Sequence, residues 1–326
     1  MGFLDTAYTN GVIAVREKKL LKDKLKRLCE LSAEDAFRAL LESGFGGGAE
    51  TTASVYEYEK LIEREERDVD EFIKEYAPSE TEKIFLLSAR DFHNAKAYMK
   101  AAYLNTEAER FLAPDGLIEK SFLYDCITEK NYAEIKVFNA YLGGACEEAD
   151  GLLQDEPSGA KLGEIFEKAL YRHLAATAGK RTVLRKLLRA RADMTNILIA
   201  LRCGEEELAK EKYLPCGALK EDELAKLFDE DYDRAVKAFV DTDYAEFVKS
   251  CFLAKAQGKP FTQAERMLGG LDVEYFDVKK YDLKKNEPFL YYVYRRRIEN
   301  ANVRIVFACL LAGQNEHDIK NRLRGL

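Results

Sequence analysis

An all-α protein is the expectation for this chain, and three observations carry it. Amphipathic runs rich in Leu, Ala, Glu, Lys and Arg dominate its 326 residues, with apolar positions at helical spacing. Helix breakers are sparse, at six prolines and twenty glycines. Helix-start signals, a Ser or Thr followed three positions on by an acid, recur at Ser32 with Asp35, Ser54 with Glu57, Ser79 with Glu82, Thr106 with Glu109 and Thr262 with Glu265.

Taken in order, the first helix is expected from about Asp5 to Leu31, because Val12, Val15, Leu20, Leu21, Leu25 and Leu28 mostly keep helical spacing. The next opens at Ser32 and stops at Gly44-Phe45-Gly46-Gly47-Gly48. That glycine cluster is a helix break and not a phosphate cradle, since no Lys-Ser/Thr pair follows it and no strand precedes it. Pro157 and Pro260 each open a helix further on, and Gly143-Gly144 and Gly269-Gly270 are read as loops between helices.

Three helices are apolar almost all round, the mark of a core helix. Ile84 to Met99 forms the first, Val183 to Leu201 the second and Phe289 to Leu310 the third. Each carries a carboxylate and an amide three residues apart: Asp91 with Asn94, Asp193 with Asn196, and Glu299 with Asn302. The surroundings recur too. Pro114-Asp115-Gly116-Leu117 answers Pro215-Cys216-Gly217-Ala218-Leu219, and Lys130-Asn131-Tyr132 answers Glu230-Asp231-Tyr232. A period near 100 residues is too long for a solenoid. It implies three copies of one small helical domain, at 1-120, 121-220 and 221-326, and a body of approximate threefold symmetry.

Residues at i and i+3 share one helix face, and a polar pair on a core helix costs desolvation unless both members are satisfied. A structural clamp between neighbouring segments meets that demand. Catalysis does not, because an enzyme needs one site and this pair occurs three times. His93 beside the first pair is expected to be a partly buried hydrogen-bonding residue, and His93, His173 and His317 have no metal-ligand spacing. Asp229-Glu230-Asp231-Tyr232-Asp233 is the one enzymatic alternative, a magnesium-dependent diphosphate site, set against acids at a helix start. No catalytic, cofactor-binding or metal-binding residue is assigned.

A net charge of −7 argues against a general nucleic-acid binder. No apolar run reaches the length of a membrane span, Ile305 to Ala312 being too short, and no secretory signal opens the chain. Seven cysteines, an odd number without any Cys-x-x-Cys, read as reduced thiols in a cytosolic protein. Charge is uneven along the chain: Glu50 to Glu82 and Glu221 to Glu246 are acidic, while Lys168 to Ala192 holds Lys and Arg and no acid. Arg295-Arg296-Arg297 is a second basic cluster. Solvated helix faces explain these runs, and opposed docking surfaces are the alternative.

Several segments together resemble the C subunit of archaeal and bacterial V-type ATPases, the counterpart of the eukaryotic d subunit. They are Ala7-Tyr8-Thr9-Asn10 with Arg16 and Lys19-Leu20-Leu21, then Leu40-Leu41-Glu42-Ser43-Gly44-Phe45-Gly46-Gly47. Arg90-Asp91-Phe92-His93-Asn94 resembles the family's internal motif and Glu299-Asn300-Ala301-Asn302-Val303-Arg304-Ile305 its C-terminal version. The resemblance covers essentially the whole chain. It implies a funnel of three helical domains, peripheral on the cytoplasmic face of the membrane, seated on the proteolipid ring and receiving a rotor shaft built from the D and F subunits. Such a protein is a single-copy, non-catalytic rotor component that couples ATP hydrolysis to proton or sodium transport, and is monomeric when isolated. A generic helical scaffold for soluble partners is the other reading of the same repeats.

Overall fold

A computed structural model describes residues 3–21, 24–47, 54–155, 158–180, 182–229, 231–277, 280 and 285–325. Every regular element among them is a helix, so the chain is all-α. No helix among the described residues is long and apolar enough to cross a membrane.

The helices fall into a recurring order. First come α1 (Phe3–Arg16), α2 (Lys24–Leu28), α3 (Ala33–Glu42), α4 (Tyr58–Tyr76) and α5 (Glu80–Leu104). Then follow α6 (Lys120–Thr128), α7 (Tyr132–Phe138), α8 (Ala140–Asp155), α9 (Gly159–Ala178), α10 (Val183–Cys203) and α11 (Glu206–Lys212). Last are α12 (Glu221–Ala225), α13 (Tyr232–Lys237), α14 (Ala245–Ala256), α15 (Thr262–Asp277), α16 (Glu287–Leu311) and α17 (Glu316–Lys320). Burial follows the same order. The short helices α2, α6 and α12 bury Leu25 and Leu28, Leu123 and Cys126, and Leu224, with Leu227 just after α12. The next helices start after Ser32, Asn131 and Asp231 and bury Ala36, Ile135 and Ala235 four residues on.

Two compact units result. In the unit of residues 80–244, α5 packs on α6, α8 and α9, and α10 packs on α9, α11 and α12. Its core runs from Phe92, Ala95 and Met99 through Leu123, Ile135 and Leu142 to Leu162 and Phe166. The other unit joins residues 1–79 to 245–326, with α16 packed on α1, α2, α3, α4 and α15. There Phe307 meets Phe37 edge-on at 6.1 Å and stacks on Tyr58 at 5.3 Å, while Phe72 stacks on Phe289 at 5.5 Å. Each unit shows the same kind of packing: α5 and α10 pack against the short helices α6 and α12 that follow them, and α16 packs against α2 and α3 near the start of the chain.

Some local expectations are corrected. The single helix expected over 5–31 ends at Arg16, continues as one 3-10 turn over Glu17–Lys19, and is extended at Leu20, where ψ is 138°. The cause is tertiary: the Leu21 N–H donates to Glu299 Oε1 at 2.6 Å and is lost to the helical ladder. Gly143-Gly144 and Gly269-Gly270 lie inside α8 and α15. A side chain at Gly143 would meet the Lys136 backbone, and one at Gly269 the Arg324 side chain, so these two permit close packing, whereas Gly144 faces open space within its helix. Thr106 with Glu109 precedes only a 3-10 turn, Glu109–Phe111, and Thr262 is the first residue of α15 and not its cap. Ser32 does cap α3, its Oγ accepting from Asp35 N at 3.2 Å. Pro157 and Gly48 lie outside the described residues.

Candidate functional site

The amides of the three polar pairs occupy the same local setting. Asn94 accepts from Ala113 N at 2.8 Å and donates to Pro114 O at 3.4 Å. Asn196 accepts from Leu214 N at 2.7 Å and donates to Leu214 O at 3.0 Å. Asn302 accepts from Arg324 N at 2.9 Å and donates to Arg324 O at 2.8 Å. An amide both donates and accepts, so one Asn satisfies the two backbone groups of a buried turn.

The carboxylates hold the segment just beyond that turn. Asp91 accepts from Leu117 N and, through Oδ1, from Ile118 N at 3.0 Å. Asp193 accepts from Ala218 N at 2.8 Å, Leu219 N at 3.0 Å and the Tyr244 hydroxyl at 2.7 Å. In both turns a glycine precedes the donor amides. A methyl group at Gly116 or Gly217 would overlap the Asp91 or Asp193 carboxylate, so only glycine lets the backbone come this close. All six residues of the three pairs are buried. Burial pushes the Asp91 carboxyl up to about 6, with the Ile118 and Leu117 amides opposing the shift.

The third carboxylate departs from this pattern. Glu299 takes its amide from Leu21, at the other end of the chain, and its second oxygen accepts from Arg296 Nη1 at 3.3 Å. Arg296 also pairs with Glu65, whose other oxygen accepts from Gly46 N at 2.7 Å. A buried Glu-Arg-Glu triad therefore lies among α4, α16 and the N-terminal segment. Burial lowers the Arg296 affinity for its proton, while Glu299 counters that. Arg296 is legible in sequence only as part of a basic cluster. The sign of its role is its place one turn before Glu299 on a core helix. Further out, Arg304 pairs with Glu59 at 3.0 Å and Glu66 at 3.4 Å, and Arg16 pairs with Asp68 at 2.8 Å. A groove of about 570 Å³ opens beside Tyr8, Val12, Val15 and Lys19, but two of its cations, Arg16 and Arg296, are already engaged by acids.

Histidines and the acidic cluster are likewise occupied by local structure. His93 is exposed, not partly buried, because its position turns away from the face that holds Asp91 and Asn94; its Nε2 donates to Phe111 O at 2.7 Å. His173 Nε2 meets Ser88 Oγ at 3.0 Å, and burial lowers its pKa. The Ser88 hydroxyl itself donates to Ile84 O at 2.6 Å. In the acidic cluster, Asp231 caps α13 through Asp233 N and Arg234 N, and Asp229 accepts from Asp231 N at 2.9 Å and pairs with Arg234 at 3.3 Å. Glu230 lies outside the described residues. Among the described residues no group of three His, Cys, Asp or Glu side chains is placed to hold a metal.

The polar atoms of the three pairs are spent on backbone groups and on neighbouring side chains. No curated protein matches the chain. The sequence pattern of the family described as ATP synthase (C/AC39) subunit matches residues 9–322, nearly its full length. It takes in all three polar pairs and the N-terminal segment that the third pair holds. The chain therefore belongs to the ATP synthase (C/AC39) subunit family, that of the V-type ATPase C subunit.

Proposed function

We propose that this protein is the non-catalytic central-stalk rotor component of a rotary V-type ATPase, joining the shaft made by the D and F subunits to the membrane proteolipid ring. The family match over residues 9–322 carries this reading. Polar pairs that lock turns on core helices suit an adaptor, since close-packed interiors pass on strain and do not absorb it. The reading includes three helical domains at 1-120, 121-220 and 221-326 arranged as a funnel about a hollow axis. It places the chain as one copy per complex, peripheral on the cytoplasmic face, and as a monomer when isolated. A single copy on a multi-subunit ring cannot match the ring's symmetry, so its contacts are non-equivalent and partly polar.

The test is a tagged chain expressed in its own host and recovered after gentle detergent extraction. The expected result is a preparation that contains the proteolipid and hydrolyses ATP, whereas the isolated chain hydrolyses none. A complete rotary complex assembled in cells that lack this chain overturns the reading.

A further inference from the structure

On α10 a helix face is left bare that the two related helices cover. Counted back from the motif carboxylates, Arg189 stands four residues before Asp193, as Leu87 does before Asp91 and Arg295 before Glu299. Lys186, seven residues before, answers Ile84 and Tyr292, and Arg185 answers Lys83 and Tyr291. In α5 and α16 the protein itself uses these positions. Leu87 is fully buried, and Tyr292 is buried against Phe72 at 4.9 Å. Arg295 donates to Gly325 O at 2.7 Å, and Lys83 pairs with Glu80 at 3.4 Å. In α10, Lys186 and Arg189 are exposed on one face, and neither is in an ion pair among the described residues.

The charge placement is costly as well. Helix starts favour acids, and the first turns of α3, α4, α5, α11, α12, α15 and α16 all hold one. The first turn of α10, like those of α2, α6, α8 and α9, holds none; Arg185 and Lys186 lie in it, and Arg189 follows one turn on. No acid occurs from Lys168 to Ala192 to offset them. The helix amides are not the attraction, since Thr182 Oγ1 already accepts from Arg185 N at 3.1 Å. A face that is covered in two related helices, bare in the third and charged against the helix's own interest is explained by an outside partner.

We infer that the basic face of Lys186 and Arg189, with the half-buried Arg185 beside them, docks an acidic stretch of another polypeptide of the rotary complex. This rests on the rotor reading above and names the chemistry of one partner surface. Protein is favoured over lipid because a membrane-docking face carries apolar anchors beside its cations. Among the described residues no exposed large hydrophobic side chain lies between Tyr141 and Leu208. Exposed cations on one face match acids spaced three or four apart on a partner helix, and such pairing sets register and on-rate.

The experiment compares the tagged wild-type chain with the triple variant Arg185→Glu, Lys186→Glu, Arg189→Glu in the native host. Retention of the complex on the tag is measured across a salt series. A photo-crosslinker placed at Arg189 in the otherwise wild-type chain identifies the polypeptide that it meets. The variant is expected to hold the complex at least about tenfold more weakly, and the crosslinked peptide to be rich in Asp and Glu. Its thermal midpoint is expected to equal or exceed the wild-type value, because acids suit a helix start. A lower midpoint passes the retention test to the neutral pair Lys186→Gln, Arg189→Gln, for which about a threefold loss is expected. Undiminished retention by the variants overturns the docking face alone. Binding of the isolated wild-type chain to phosphatidylglycerol vesicles, lost in the variant, with no polypeptide crosslinked, also overturns it, in favour of lipid. Failure of the wild-type tag to retain any complex overturns the rotor reading, and this face falls with it.

Discussion

Each recurring amide on a core helix does two jobs, and this makes its contribution measurable. Removal of the Asn94 or Asn196 side chain leaves a buried backbone N–H and C=O without partners. Asn94→Ala and Asn196→Ala are therefore expected to cost about 1–3 kcal/mol in urea or thermal unfolding. Asn300 is the control. It is buried beside the third pair, yet neither of its amide atoms has a hydrogen-bond partner. Asn300→Leu removes an unsatisfied amide at similar volume, so stability should hold or rise, by up to about 1 kcal/mol. A loss equal to that of Asn302→Ala would mean that the Asn300 amide is bonded after all. The buried Asp91 carboxyl adds a pH signature. Its pKa near 6 in the folded protein exceeds the unfolded value of about 3.9, so the native state takes up the proton first. The contribution of Asp91 to stability is therefore fullest below about pH 4 and falls as pH rises through 6. Measured as the difference between wild type and Asp91→Asn, stability should decline from pH 4 to pH 7; a flat difference would place Asp91 in an ordinary environment. The pairs are visible in the chain because polar residues at fixed spacing interrupt apolar helices. Their partners are not, since nothing local marks a turn some twenty residues away as the partner.

The helices themselves are largely legible, and the departures have a common cause. The apolar positions from Val12 to Leu28 mostly keep helical spacing, yet the helix opens at Leu20 because Glu299 takes the Leu21 amide. Gly143-Gly144 and Gly269-Gly270 resemble loops by composition, yet they lie within α8 and α15, where close neighbours at Gly143, Gly269 and Gly270 favour glycine. In each case a contact from elsewhere in the fold outweighs a local preference worth about 1 kcal/mol. The tie among α4, α16 and the N-terminal segment should be correspondingly strong. Arg296→Met leaves Glu65 and Glu299 buried and facing each other without a cation, and is expected to cost about 3–5 kcal/mol in chemical denaturation. Hydrogen exchange should also show lost protection of the segment around Leu21. Unchanged stability would mean that water, not Arg296, satisfies the two acids.

Across the whole molecule, the motif helices tie each polar pair to backbone elsewhere in the chain. Asp91 and Asp193 each hold backbone that leads into the following short helix, whereas Glu299 holds backbone near the start of the chain. Residues 1–79 and 245–326 consequently form one compact unit. Loss of the N-terminal segment should then destabilise α16 before it disturbs residues 80–244, an outcome that limited proteolysis of a chain shortened to begin at residue 22 would display. Early cleavage within 80–244 would contradict it. Local rules suffice for the all-helical class, the three polar pairs and the family resemblance, because periodicity and recurrence are written in neighbouring residues. Which backbone each pair holds, why the first helix breaks, and that Arg296 bridges two acids depend on segments up to 278 residues apart meeting in space. Burial and hydrogen-bond satisfaction are properties of the packed chain, and no stretch of it contains them alone.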